Sequence, residues 1–182
     1  ALGLRYTEGR PLVEALQDFQ QAADLARAAG DTALAGRALG QQGSVVLDQG
    51  QPADARTLLE SALASVRKLG DRRTEAVIFE TIGRLALEQG RLEDAQRSFE
   101  KVMRTAQDVG DRRLRGISLG SLACIHHERG RLDLALSLYA HAIDVLQEVG
   151  DRRFEGLFLG YTGLVKWQQG RLDDAAVHVK RS

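Results

Sequence analysis

The sequence predicts an all-α protein made of antiparallel helical hairpins repeated in tandem. Gly-Asp recurs at Gly30-Asp31, Gly70-Asp71, Gly110-Asp111 and Gly150-Asp151, in steps of 40 residues. A further glycine lies midway in each step, in Gly50-Gln51, Gly90-Arg91, Gly130-Arg131 and Gly170-Arg171. Within each half, apolar and small residues return at helical spacing, and no strand-like alternation competes with them.

In chain order, residues 1–30 read as a partial repeat, 31–70, 71–110 and 111–150 as full repeats, and 151–182 as a shortened one. Ala15 and Phe19 match Ala95 and Phe99, so residues 11–29 are a second helix, preceded by a first-helix remnant from Leu2 to Glu8. Pro11 falls where a helix start tolerates proline.

Each first helix is counted from its Asp as position 1. Position 6 is then Gly36, Ala76, Gly116 and Gly156; position 9 is Leu39, Phe79, Leu119 and Leu159; position 13 is Gly43, Gly83, Ala123 and Gly163. These three positions share one narrow face, which position 15 (Val45, Leu85, Ile125, Val165) widens on one flank. The second helices follow the pattern Leu92, Ala95, Phe99, Val102, Met103, Ala106 and Val109, repeated as Leu132, Ala135, Tyr139, Ala142, Ile143, Leu146 and Val149.

Glycine just past a helix takes the left-handed conformation without steric cost, and the following Asp accepts from the free N–H groups of the next helix. Two helices of roughly 17 residues, each about 25 Å long, result. The last helix begins near Leu172 and leaves Leu172, Ala175, Ala176 and Val179 as an apolar face without its next neighbour. Helical arrays end in polar capping elements, and none is evident. The chain is therefore expected to be a piece of a longer protein that runs on in both directions.

The pattern resembles a tetratricopeptide repeat array of a forty-residue variety. The likeness rests on the apolar position 9, the small position 13, the alanines Ala55, Ala95, Ala135 and Ala175, and then Leu59, Phe99, Tyr139 and Val179. Ala62, Val102 and Ala142 complete the signature, and Gly36-Arg37-Ala38-Leu39-Gly40-Gln41-Gln42-Gly43 looks like a run common in that family. The resemblance implies a right-handed α-superhelix (an α-solenoid) whose first helices line the concave side.

A helical wheel places positions 7, 10, 11, 14, 17 and 18 opposite the narrow face. From these come the candidate partner-binding residues Arg37, Gln41, Leu47, Glu80, Arg84, Leu87, His127, Tyr161, Leu164 and Trp167. Apolar character gathers towards the C-terminus, where Trp167, the single tryptophan, reads either as an anchor for a partner or as a residue packed on a further hairpin. Family members that grip extended peptides often carry asparagine where this chain has Gln41, Thr81, Ser121 and Tyr161. A lysine, asparagine and arginine set for a C-terminal carboxylate is also missing, so a helical or globular partner is at least as well supported as an extended peptide. The internal pairs Gly36/Gly40, Gly116/Gly120 and Gly156/Gly160 need a reason, since each glycine costs roughly 1 kcal/mol against alanine. They read as close helix packing or as bare backbone that admits a partner.

The 182 residues carry 25 Lys plus Arg against 25 Asp plus Glu and one cysteine, so nucleic-acid binding has no bulk electrostatic support and an internal disulfide is impossible. No apolar run is long enough for a membrane span. The 21 arginines and 4 lysines hint at a GC-rich, bacterial genome. No phosphate loop, nucleophile elbow or zinc-protease pair occurs. Cys124, His126, His127 and Glu128 supply at most two ligands on one face, short of a zinc site. No catalytic residue, metal or cofactor is assigned. The arginine pairs beginning at Arg72, Arg112 and Arg152 read as a solvated rim beside the capping aspartates.

The expectation is a non-catalytic, cytoplasmic interaction scaffold that binds a partner protein or peptide, or another domain of its own chain, on the concave face. It would be a monomer with weak self-association through the uncapped C-terminal helix. The alternative is the regulatory arm of a larger ATPase-type transcription regulator or signalling protein, binding an inducer or an intramolecular partner.

Overall fold

A computed structural model describes residues 12–179, the side chains of residues 178 and 179 excepted. The remnant helix at Leu2–Glu8, the start at Pro11 and the packing of Val179 lie outside the described residues. The described chain is all helix and turn, and it falls into two compact units that divide between Gln89 and Gly90.

In the first unit lie α1 (Leu12–Ala28), α2 (Thr32–Asp48), α3 (Pro52–Lys68) and α4 (Arg72–Glu88). The second holds α5 (Leu92–Asp108), α6 (Arg112–Glu128), α7 (Leu132–Glu148), α8 (Arg152–Gln168) and α9 (Leu172–Val179). Every helix from α1 to α8 has the expected 17 residues.

The breaks work as the sequence states them. At Gly110 the backbone turns left-handed (φ 68°), and the Asp111 N–H reaches back 2.9 Å to the carbonyl of Ala106, closing the end of α5. The carboxylates of Asp31, Asp71, Asp111 and Asp151 each accept from the amide three residues on, at 2.9–3.1 Å. The second helices start differently: Gln51, Arg91 and Arg131 make no side-chain cap. There Pro52 or first-turn carboxylates such as Glu93, Asp94 and Asp133 favour the helix start instead.

The second-helix signature is the core. Ala55, Leu59, Ala62, Ala95, Phe99, Val102, Ala135, Tyr139 and Ala142 are all fully buried. The glycines at positions 6 and 13 let the two helices of a hairpin approach. A Cβ on Gly36 would stand 2.9 Å from Val66, one on Gly43 2.8 Å from Leu59, and one on Gly116 2.9 Å from Leu146. Position 9 is less uniform than expected, with Leu39 and Leu159 buried but Phe79 and Leu119 half-buried. The deeper position is 8, where Ala38, Ile78, Ser118 and Phe158 are all buried.

Successive repeats are also tied by polar contacts. Gln89 accepts from Arg56 on α3 at 3.2 Å, Arg129 donates to Glu93 and Gln96 on α5, and Gln169 donates to Asp133 on α7 at 3.1 Å. The residue before Gly90, Gly130 and Gly170 thus reaches back to the preceding second helix.

Candidate functional site

The candidate face is built along α2 and α4 in the first unit and along α6 and α8 in the second. Its ten sequence-predicted residues are not equally available. Arg37 is exposed and lies 3.9 Å from the Asp71 carboxylate; Gln41 and Leu87 are half-buried. Leu47 is a correction: at 2% exposure it belongs to a core cluster with Val46, Ala55 and Leu85, so no partner reaches it. Glu80 is likewise buried.

The reason is physical. A helical wheel treats each helix as if alone, whereas α2 packs along α4, and α6 along α8, and this covers Gly40 and Leu47 on α2 and Gly120 on α6. Gly40 and Gly120, expected on the open face, are buried under the next first helix. A Cβ on Gly40 would stand 3.0 Å from Ile78, and one on Gly120 2.1 Å from the Phe158 ring. These two glycines therefore serve helix packing rather than partner entry.

Arg84 pairs with Asp48 of α2, both side chains being three-quarters buried or more. Burial opposes its charge, but the carboxylates of Glu80, Asp48 and Glu88 outweigh that and hold the guanidinium above its ordinary pKa. Arg84 is thus a fixed, charge-balanced element of the face.

In the second unit the chemistry-bearing residues separate. Cys124 Sγ accepts a hydrogen bond from the Tyr139 hydroxyl at 3.3 Å, and burial pushes its thiol up to about 11. His127 Nε2 lies 2.8 Å from Gln168 Oε1 on α8. His126 is half-buried, its Nδ1 has no hydrogen-bond partner, and burial together with Arg131 and Arg129 lowers its pKa.

The arginine rim is paired with carboxylates. Arg112 pairs with Glu148, Arg113 donates to Asp151 at 2.7 Å, and Arg152 to Glu155 at 3.1 Å. Arg113 and Arg153 also lie over the Phe154 ring, each 5.6 Å from its centroid.

What remains open is α8. Leu157, Tyr161, Leu164 and Trp167 share one stripe of this helix and are 45%, 36%, 41% and 60% exposed. The Tyr161 ring stacks on buried Tyr139, with centroids 6.0 Å apart, so it is held in place before any partner arrives. Leu157 is not among the ten predicted residues, although its position 7 lies on the same face of the wheel and was the signal that could have found it. A separate depression of about 710 Å³ lies on α1, lined by Leu16, Gln17, Gln20, Gln21, Asp24, Leu25 and Gln42, and touches none of the ten.

Family models described as tetratricopeptide repeat match residues 36–61 and 74–148. The helical hairpins, their buried alanine-and-aromatic signature and these matches define the class: the chain belongs to the tetratricopeptide repeat family, whose members are protein-interaction modules. It is similar in fold to BtubC (BKLC) from P. vanneervenii, at 16% identity and a TM-score of 0.71, over 94% of this chain and 72% of that one. A putative kinesin light chain with nearly identical TPR-like repeats from Podosopora anserina aligns at 15% identity and a TM-score of 0.63, over 99% of this chain and 89% of that one. MamA aligns at 18% identity and a TM-score of 0.54, over 87% and 91%. No curated protein matches the chain. Among the described residues no helix is long and apolar enough to cross a membrane.

Proposed function

We propose that this chain is a non-catalytic scaffold that binds a partner protein through its first helices, with the main anchor on α8. The observation that carries this reading is the exposed row Leu157, Tyr161, Leu164 and Trp167 on an otherwise polar, charge-balanced face. Exposed apolar rows of this kind are uncommon on isolated soluble surfaces and mark interaction sites. His127 flanks the anchor in the second unit, and Arg37, Gln41, Arg84 and Leu87 lie on the first helices of the first unit, as polar and half-buried contacts that orient rather than drive binding.

The test is capture of partners from the source cell with the wild type beside Trp167→Ala. Loss of an aromatic anchor costs about 2 kcal/mol, so a partner held by this face should bind on the order of 30-fold more weakly to the variant. A partner retained equally by both proteins would overturn the anchor assignment.

A further inference from the structure

The two ends of the helical hairpins in the second unit are not equivalent in charge. At the Gly-Asp end, Arg113 of α6 donates through Nε to Asp151, and Arg152 of α8 donates through Nη1 to Glu155. In both pairs the carboxylate lies underneath. The side chains of Arg113 and Arg152 are 54% and 85% exposed, whereas those of Asp151 and Glu155 are 9% and 8% exposed. The pairs are charge-balanced, yet a molecule arriving from solvent meets guanidinium. At the opposite end the order is reversed: Arg129 is 22% exposed and its partner Glu93 is 74% exposed. A chain with 25 Lys plus Arg against 25 Asp plus Glu thus carries a basic edge that its net charge conceals.

The edge is also held in place. A guanidinium has five N–H donors in a rigid fork, so one bond inward leaves the others of Arg113 and Arg152 for a second acceptor. Arg113 and Arg153 lie over the same Phe154 ring, each 5.6 Å from its centroid. Their guanidinium carbons, one from each of two successive first helices, therefore stand at most twice that distance apart. Arg112, which pairs with Glu148, and Arg115, one turn further along α6, are both exposed and extend the edge. The Arg115 side chain has no hydrogen bond or ion pair among the described residues. The Asp111 and Asp151 carboxylates already cap the starts of α6 and α8, so the arginines rather than the helix ends are the donors on offer. The first unit layers its charges in the same way, with exposed Arg67 over the Phe79 ring and bonded to half-buried Glu75.

We propose that the edge formed by Arg112, Arg113, Arg115, Arg152 and Arg153 binds an acidic segment of a partner protein. Carboxylates of that segment accept from the outward N–H groups, while Asp151 and Glu155 hold the arginines from below. Nucleic acid fits less well. Its binding draws on a broad positive field, which this neutral chain lacks, and exposed Glu148 interrupts the edge against a continuous phosphate backbone. A short acidic segment can set its carboxylates to either side of Glu148. The edge lies at the hairpin ends, not on a side where helices stack, and it is a surface separate from the apolar row of α8. It goes beyond the interaction-scaffold reading and stands whether or not Trp167 anchors a partner.

The probe is a fluorescein-labelled peptide rich in Asp and Glu, with its Asn and Gln counterpart as the uncharged control, and anisotropy follows its titration with the whole protein at low salt. The acidic peptide should bind saturably and weaken as salt rises, and the control should not bind. Arg112→Glu/Arg115→Glu should lose at least tenfold in affinity. Arg97→Glu/Arg171→Glu changes the net charge equally, at exposed arginines nearer the opposite end, and should bind as the wild type does. Arg115→Glu alone has no ion pair to lose, so it should melt as the wild type does and still bind several-fold more weakly. That single variant keeps the test decisive if the double variant fails to fold. No binding by the wild type, or equal loss in both double variants, would overturn the acidic-segment site. A DNA duplex that binds more tightly than the peptide and is lost on Arg115→Glu would overturn it in favour of phosphate. Loss of the peptide on Trp167→Ala would place it on the apolar row of α8 and overturn the edge.

Discussion

Adding one methyl group at Gly120 tests the central packing claim. A Cβ there would stand 2.1 Å from Cε2 and Cζ of Phe158, roughly 1.4 Å short of ordinary carbon–carbon contact. The ring has little room to retreat: it is 2% exposed and sits between Tyr139 and Phe154, with centroids 5.9 and 6.0 Å away. Overpacking of this severity costs about 3 kcal/mol. Replacing a mid-helix glycine by alanine returns about 1 kcal/mol of helix propensity. Gly120→Ala should therefore lose about 2 kcal/mol, a fall of about 4–8 °C in Tm for a chain of this size. Gly40→Ala is the internal control. Its Cβ would stand 3.0 Å from Ile78 Cγ1, a milder overlap that the propensity gain offsets, so its stability should stay near that of the wild type. Circular dichroism melts and urea titrations read both. Phe158→Leu in the Gly120→Ala background should recover part of the loss, with a coupling of at least about 1 kcal/mol. Gly120→Ala as stable as the wild type, or strict additivity with Phe158→Leu, would refute the knob-and-hole account.

Further outcomes follow from the electrostatics. Arg84→Ala removes the guanidinium that pairs with Asp48 and should cost about 1–3 kcal/mol by urea midpoint, with Arg84→Met/Asp48→Asn recovering part of it. Burial raises the pKa of Asp71, but hydrogen bonds from the Thr74 hydroxyl and amide, with Arg37 and Arg73, outweigh it, and the net shift is downward from 3.8. Its stabilisation is present above pH 3.8 and is lost as pH falls below that value towards the folded-state pKa, so Asp71→Asn should flatten that part of the acid limb in melts taken from neutral pH downward. The Cys124 thiol, raised from 9.0 to about 11, should resist thiol reagents at neutral pH until denaturant is added. For the same reason stability should fall as pH rises from 9.0 towards about 11, a loss read by melts across that window.

The hairpins were legible because their instructions are local. A glycine past a helix, an aspartate at the next start and an alanine–aromatic stripe each act within a turn or two of chain, so Gly110, Asp111, Ala135 and Tyr139 behave as their spacing predicts. Position 8 was not legible from any one repeat. Alanine, isoleucine, serine and phenylalanine share no size or hydropathy there. The burial of Ile78 and Phe158 becomes intelligible only when the glycine at position 10 of the preceding first helix is seen. The pairs Gly40–Ile78 and Gly120–Phe158, each 38 residues apart, were the available trace of it.

The same omission explains why the wheel overcounted the candidate face. Its six positions belong to two surfaces, one facing outward and one stacked against the neighbouring first helix. Leu47 fell on the stacked edge and became core, and Arg84 fell between the two and became a charge-balanced strut. On α8 the outward row Tyr161, Leu164 and Trp167 stays exposed. A stacking edge selects more narrowly than an outward face. It demands a helix, a direction and two side chains at a fixed separation, whereas an outward apolar residue accepts any complementary surface. Trp167, the most exposed member of that row, is therefore where the anchor assignment should be measured first.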